Sequence, residues 1–470
     1  MATLAQDVST EPLARAPLYP PKVMAQKGAI PEIYSAVDFT RLPERYSVDP
    51  ADAVELPARM AGRRAELLAD EDCIATIRGY TMMGDRTADA YAALMPEFGF
   101  RRLVDMLDRA CDQGIEAVPD APAELRAFIA AMEAKPAWLD MALVEQGARI
   151  ERNTHVHLTP FVLRGAFIAT FMNKYSALPM ALTGTLSNNT AARRAYETGS
   201  FFTSKLMPGA LQRFGAGFKA AAKVRLMHSM VRANIMRSGK WDVGVYGIPI
   251  PQVDQMPAGL IGTYLMARDV LDSGRETFTP EERARVELAR YRCFLLGLPE
   301  DLLSDTPRGI EKLWLTRSAT LRAEFEPETC GALLRATMEA EMTQGEGALA
   351  GAKRWMEGGF SKLFFIQHFM GGDRALAASV GVEMSALDKL AAICALAFVH
   401  SRIRLYRALA ALPLTRNWAD RRLVGKLAHL LETYGHADFI TDASKYKPAL
   451  RRTLGGAVRR VAAEWPMGAV

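Results

Sequence analysis

Apolar residues recur at three- and four-residue intervals along most of this chain, and the strict alternation that a half-buried strand needs is scarce. Residues 87–95, 101–112, 123–134 and 141–153 all carry the helical spacing. Thr279-Pro280-Glu281-Glu282 adds a hydroxyl, a proline and an acid in the order that starts a helix, and Asp49-Pro50 is expected to start another. The fold class is therefore all-α. Residues 241–257, with Gly244, Gly247, Pro249 and Pro251, are the place expected to hold a short extended pair. Residues 1–45 contain Pro12, Pro17, Pro20, Pro21 and Pro31 without sustained periodicity and read as an extended arm. A helical domain over residues 46–415 follows. Residues 416–470 read as a basic carboxy-terminal helical segment packed on that domain, with arginine pairs at 451–452 and 459–460 on a solvated face.

A chain of 470 residues exceeds the usual size of one simple core and has ample interior for a large cofactor. Its 23 methionines suit an adaptable apolar pocket. The net charge of +5 is modest for this length and gives no basis for a nucleic-acid partner. Five cysteines, at 73, 111, 293, 330 and 394, are widely spaced and include no Cys-x-x-Cys pair, so neither a disulfide framework nor a zinc site is expected. Phosphate-cradling glycine loops, His-Glu-x-x-His and Gly-x-Ser-x-Gly are absent. The amino terminus has no basic stretch leading into an apolar run, which reads as a cytoplasmic protein. Residues 175–192 carry Ser, Thr, Asn and a proline, and residues 390–399 are too few to span a bilayer, so no transmembrane segment is expected. Peripheral membrane contact stays open.

Two short elements carry the chemistry. Arg194-Ala195-Tyr196-Glu197-Thr198 sets a cation, a carboxylate and a hydroxyl on one face of a helix. His228 sits in Val-Arg-Leu-Met-His228-Ser-Met-Val-Arg232, among apolar residues, with Arg232 one turn further on. Pro208-Gly209 should end the first helix near Met207, and Gly215 and Gly217 should precede a second that runs from about Phe218 to Arg237. Thr198 then lies about 14 Å before its break and His228 about 15 Å after its own start, so antiparallel helices would bring them level. Each element alone is also what a surface ion pair or a core histidine looks like. His155 and His157 alternate in an expected loop, while His368, His400, His429 and His436 stand apart.

With the segment 165–175 before them and Tyr246-Gly-Ile-Pro-Ile-Pro-Gln252-Val-Asp-Gln255 after them, these elements resemble the latex-clearing-protein (rubber oxygenase) and MpaB-type oxygenases, the DUF2236 family of b-type haem proteins. The resemblance implies a globin-like helical core and haem b held by coordination and packing, since no Cys-x-x-Cys-His attachment sequence is present. It implies His228 as the proximal iron ligand, Arg232 as a propionate partner, and Arg194 and Thr198 as the distal cation and hydroxyl that stabilise bound dioxygen. The rubber oxygenases carry Arg-x-x-Lys-Thr where this chain has Glu197. A carboxylate there is expected to pair with Arg193 or Arg194, and is a candidate proton acceptor. The upstream glutamate proposed as base in the rubber enzymes has no counterpart, because residues 165–189 contain no acid. The implied function is dioxygen-dependent oxidation of a small apolar unsaturated substrate, read as oxidative cleavage of a carbon-carbon double bond in an isoprenoid. A non-catalytic haem or lipid-binding protein and a haem hydroxylase or peroxidase are the alternatives.

Overall fold

The helices that build the molecule's centre are, in chain order, α1 (Arg86–Ala93), α2 (Met141–Ala169), α3 (Ala191–Ser204), α4 (Ala216–Arg237), α5 (Gln252–Asp272), α6 (Pro280–Leu295), α7 (Ala348–Phe369), α8 (Ala386–Ala411) and α9 (Pro413–Tyr434). The structure is a computed structural model that describes residues 17–183, 190–343 and 345–435. Among them the only β pairing is two isolated antiparallel bridges, Tyr46 with Leu321 and Val54 with Arg322. The all-α reading holds.

Local chemistry accounts for several boundaries. At the start of α6, the helix start that the four residues predicted, the Thr279 hydroxyl accepts from the Glu282 amide and the Glu282 carboxylate accepts from the Thr279 amide, a reciprocal cap. The helix expected over residues 141–153 runs on to Ala169, through Pro160 and past His155 and His157, which are therefore helical rather than in a loop. An interior proline costs about 3 kcal/mol. Here burial of Phe161, Leu163, Phe167 and Ile168 in the following turns offsets it. Gly147 is where α2 crosses α6: a Cβ there would lie 2.1 Å from the Ala284 carbonyl oxygen, so any side chain would push the helices apart.

Three expectations are corrected. From Pro21 to Tyr34 the arm is not extended but forms three short helical turns, Pro21–Met24, Gln26–Ala29 and Pro31–Tyr34, with Val23 and Tyr34 fully buried. Pro21 and Pro31 sit at first helical positions, where a missing N–H costs nothing. Asp49-Pro50 starts no helix, because the Asp49 carboxylate accepts from the Ala51 amide and closes a turn instead. The 241–257 region holds no extended pair: Asp242 caps the single turn Val243–Tyr246, and α5 begins at Gln252 with Pro257 inside it. The carbonyl of Val253, which Pro257 cannot bond, accepts from Arg317 Nε at 3.0 Å instead.

Helix α2 packs against α6, α7, α8 and α9, and α3 packs against α2, α4 and α9. α4 in turn packs against α1 and α6. All five cysteines are free. Among the described residues no helix is long and apolar enough to cross a membrane. The expected basic segment is helical in α9 as far as Tyr434, and the arginine pairs at 451–452 and 459–460 lie outside the described residues.

Candidate active site

The two sequence elements fall on neighbouring helices. α3 starts just before Arg194 and ends at Ser204, and α4 spans Ala216–Arg237, close to the bounds that the prolines and glycines predicted. On α3, Arg194, Glu197, Thr198 and Phe202 keep partial exposure, while Ala195, Tyr196 and Gly199 are buried. On α4 the partly exposed residues include Val224, Met227, His228 and Val231. Both sets follow helical spacing, so each helix leaves one stripe incompletely covered, and the two helices pack together. Tyr196 fastens the opposite side of α3, stacked on Tyr434 with ring centroids 5.1 Å apart and its hydroxyl donating to the Met342 carbonyl.

His228 is half-buried. Burial, with the Arg232 charge adding to it, holds its pKa down at about 4, so the imidazole is neutral at physiological pH. Its tautomer follows from a relay that begins on the backbone. The Gly84 carbonyl accepts from Gln252 Nε2 at 3.0 Å, so Gln252 Oε1 faces Gln255, whose Nε2 donates to it at 3.0 Å. Gln255 Oε1 is then turned to His228 Nδ1, 3.3 Å away. Nδ1 therefore carries the proton and Nε2 the free lone pair. Gln252 and Gln255 were visible in the sequence motif, but their partner was not, because the contact joins residues 27 positions apart.

Arg232 is engaged within the protein. It is fully buried in an ion pair with the buried Asp89 on α1, and it donates to the carbonyls of Pro249 and Ile250. Tyr34 also donates to Asp89. With these donors committed, Arg232 braces the loop before α5.

On α3, Glu197 accepts from Arg194 at 2.9 Å and from Arg193 at 3.1 Å, so the expected pairing is present with both arginines. The Thr198 hydroxyl donates to the Arg194 carbonyl at 3.1 Å and must rotate to serve a ligand as donor. His155, on α2, is also neutral, held at about 4 by burial and by Arg292. Both its nitrogens are taken: Thr203, whose own proton goes to the Gly199 carbonyl, accepts from Nε2 at 2.9 Å, and Thr159 donates to Nδ1 at 3.1 Å. His155 is a satisfied core histidine.

A chain of contacts links α4 to α3 by way of α5 and α6. His228 meets Gln255 on α5, and one turn along that helix the Gly259 carbonyl accepts from Arg292 on α6. The Arg292 guanidinium lies 5.4 Å from the centroid of Phe202 on α3, one turn past Thr198. Lys205 Nζ lies 4.9 Å from the same ring. The sequence reading passed over Phe202, Lys205 and Arg292, although an arginine inside Ala289-Arg290-Tyr291-Arg292-Cys293-Phe294 is the signal that marks a buried cation. Among the described residues no group of three or more His, Cys, Asp or Glu side chains is placed to hold a metal ion.

Residues 154–358 match the family model described as ER-bound oxygenase mpaB/B'/rubber oxygenase, catalytic domain. That segment contains Arg194, Glu197, Thr198, His228, Gln255 and Arg292. A solved structure described as latex clearing protein LCP in the closed state matches with a TM-score of 0.51 and 18% identity, over 75% of this chain and 91% of that one. At that identity the likeness speaks for the fold alone. No curated protein matches the chain. The resemblance read from the sequence is borne out by the family model, and the helical fold it implied by the structural match.

Proposed function

Starting from a chain that carries an mpaB/rubber-oxygenase catalytic domain, we propose a haem b-dependent oxygenase that uses dioxygen on a small apolar unsaturated substrate, by oxidative cleavage of a carbon-carbon double bond of the isoprenoid kind. The observation that carries this reading is the lone pair of His228 Nε2, left free by the Gly84–Gln252–Gln255 relay on a ring held neutral by burial. A single fixed imidazole suits an iron that brings its other ligands in a macrocycle. Bound there, haem would supply the iron at which dioxygen is activated.

The protein's own residues do the rest. Gln255 orients the imidazole and raises its basicity through the Nδ1 hydrogen bond. Arg194 and Thr198 stand on the facing helix as a cation and a hydroxyl for negative charge that develops on oxygen, Thr198 by swinging from its own helix carbonyl. Glu197 holds Arg194 in place and is the only carboxylate of the α3 stripe, so it is the residue that takes a proton from substrate. The partly exposed Val224, Met227 and Val231 line α4 with an apolar wall suited to a hydrocarbon.

One preparation tests the reading. The purified full chain should show a Soret band, and His228→Ala should lose the band or hold haem weakly. Incubation with an unsaturated terpene under oxygen should give oxygenated fragments, whereas binding without product would identify a haem carrier and hydroxylated, uncleaved product a hydroxylase. A His228→Ala protein with unchanged haem content and spectrum refutes the ligand assignment.

A further inference from the structure

Buried cations in this fold have carboxylates. Arg45, Arg164, Arg225 and Arg317 each lie within 2.9 Å of one, and Arg232 is paired with Asp89. Two buried cations break the pattern. Lys205 is 4% exposed and Arg292 6%, and among the described residues no acid pairs with either. Arg292 donates through Nη2 to the Gly259 carbonyl, while its Nε is buried without a partner. Both cations lie over Phe202, where the ring's face offers each a weak attraction, far less than the solvation that burial removes. Leaving two such charges together is costly unless an anion joins them.

Their position says which anion. Phe202 follows Thr198 by one helical turn on α3, and Gly259 follows Gln255 by one turn on α5. Arg292 thus links the wall that carries the distal residues to the helix that positions His228, one turn to the side of both. Resting on the haem reading above, we propose that Arg292 and Lys205 form the anchor for the two haem propionates, in place of Arg232, whose donors are engaged within the protein. An arginine fork and a lysine point charge suit two carboxylates brought into a low-dielectric space.

Haem retention tests this without reference to turnover. Full-length holoprotein is mixed with excess apomyoglobin, and transfer is followed at the Soret band for the wild type and for Arg292→Met, Lys205→Met and the double variant. Each single substitution should speed haem loss roughly tenfold to a hundredfold, the range for removing a hydrogen bond to a charged group, and Arg292→Lys should recover part of it. Wild-type protein reconstituted with haem dimethyl ester, which lacks free carboxylates, should release it as fast as the double variant releases haem, with no further effect of the substitutions. Circular dichroism of the variants separates lost anchoring from lost folding. Wild-type retention in the variants, or equal retention of the ester, overturns the proposal while leaving the haem reading intact. A wild-type protein with no Soret band defeats that reading and the anchor together. If haem retention is unchanged but geranic acid no longer perturbs the Soret band of the variants, the cations serve a substrate carboxylate and the propionate assignment falls.

Discussion

The two walls of the candidate site treat charge in opposite ways. Behind His228, Arg225 and Arg232 each meet a buried aspartate, Asp85 and Asp89, and every one of these side chains is 6% exposed or less. For Asp85, burial works to raise the pKa, but Arg225 more than offsets it and the carboxyl lies below its ordinary range. Around Phe202, Arg292 and Lys205 are as deeply buried, and among the described residues no acid pairs with them. Paired ions close a structure by themselves, since breaking one leaves a stranded charge. Unpaired ones leave the structure waiting for an anion. The ion pairs behind α4 are therefore scaffold, and the α3–α6 wall is where our proposal places a charged ligand.

The sharpest way to break this comparison is to remove one cation or its partner from each wall in haem-free protein. Asp89→Ala should cost about 3–5 kcal/mol in denaturant unfolding, because Arg232 is left buried and uncompensated. Arg292→Met should cost nothing or add stability, because it deletes a charge that has no partner. Similar losses from both would show that Arg292 is paired in solution and erase the distinction.

A second experiment separates chemistry from anchoring. Arg194→Ala and Thr198→Val should keep haem content near normal and lower turnover roughly tenfold to a thousandfold, the range for losing a preorganised donor. Glu197→Gln should lower turnover by on the order of a hundredfold, if the carboxylate is the proton acceptor. Full activity in all three variants would place α3's polar stripe outside the reaction.

The smallest effect is in pH. In haem-free protein His228 titrates at about 4 when folded and near 6.5 when unfolded. Between those values the unfolded chain binds the extra proton, so stability is full above about pH 6.5 and falls as pH drops toward 4. His228→Leu should flatten that decline by up to about 1.4 kcal/mol per pH unit. His155→Leu should flatten it as well, since burial and Arg292 hold His155 at about 4 too, but only His228→Leu should abolish haem binding. A pH profile unchanged by His228→Leu would mean that the ring is solvated.

How much was legible beforehand depends on the range of the interaction. The bounds of α3 and α4 were close to readable because proline, glycine and apolar spacing act within a turn or two, and the Thr279 cap is a four-residue device. The pairing of Glu197 with Arg193 and Arg194 is equally local. Pro21 and Pro31 were read as part of an extended arm, yet both begin helical turns, and Pro160 is carried inside α2 by packing. Burial, which no single segment reveals, decided those cases.

The sequence by itself determined an all-helical chain and the residue types that could serve a haem oxygenase, because helix period, caps and the Arg194–Thr198 spacing are written in adjacent residues. Only the tertiary structure decided which of two half-buried, neutral histidines keeps a free nitrogen and which arginine is left without an acid among the described residues. Those outcomes depend on Gly84, Thr203, Asp89 and Gly259, residues that reach His228, His155, Arg232 and Arg292 only when distant helices pack. A hydrogen bond or ion pair formed across that distance is a property of packing, which leaves no periodic trace in the chain.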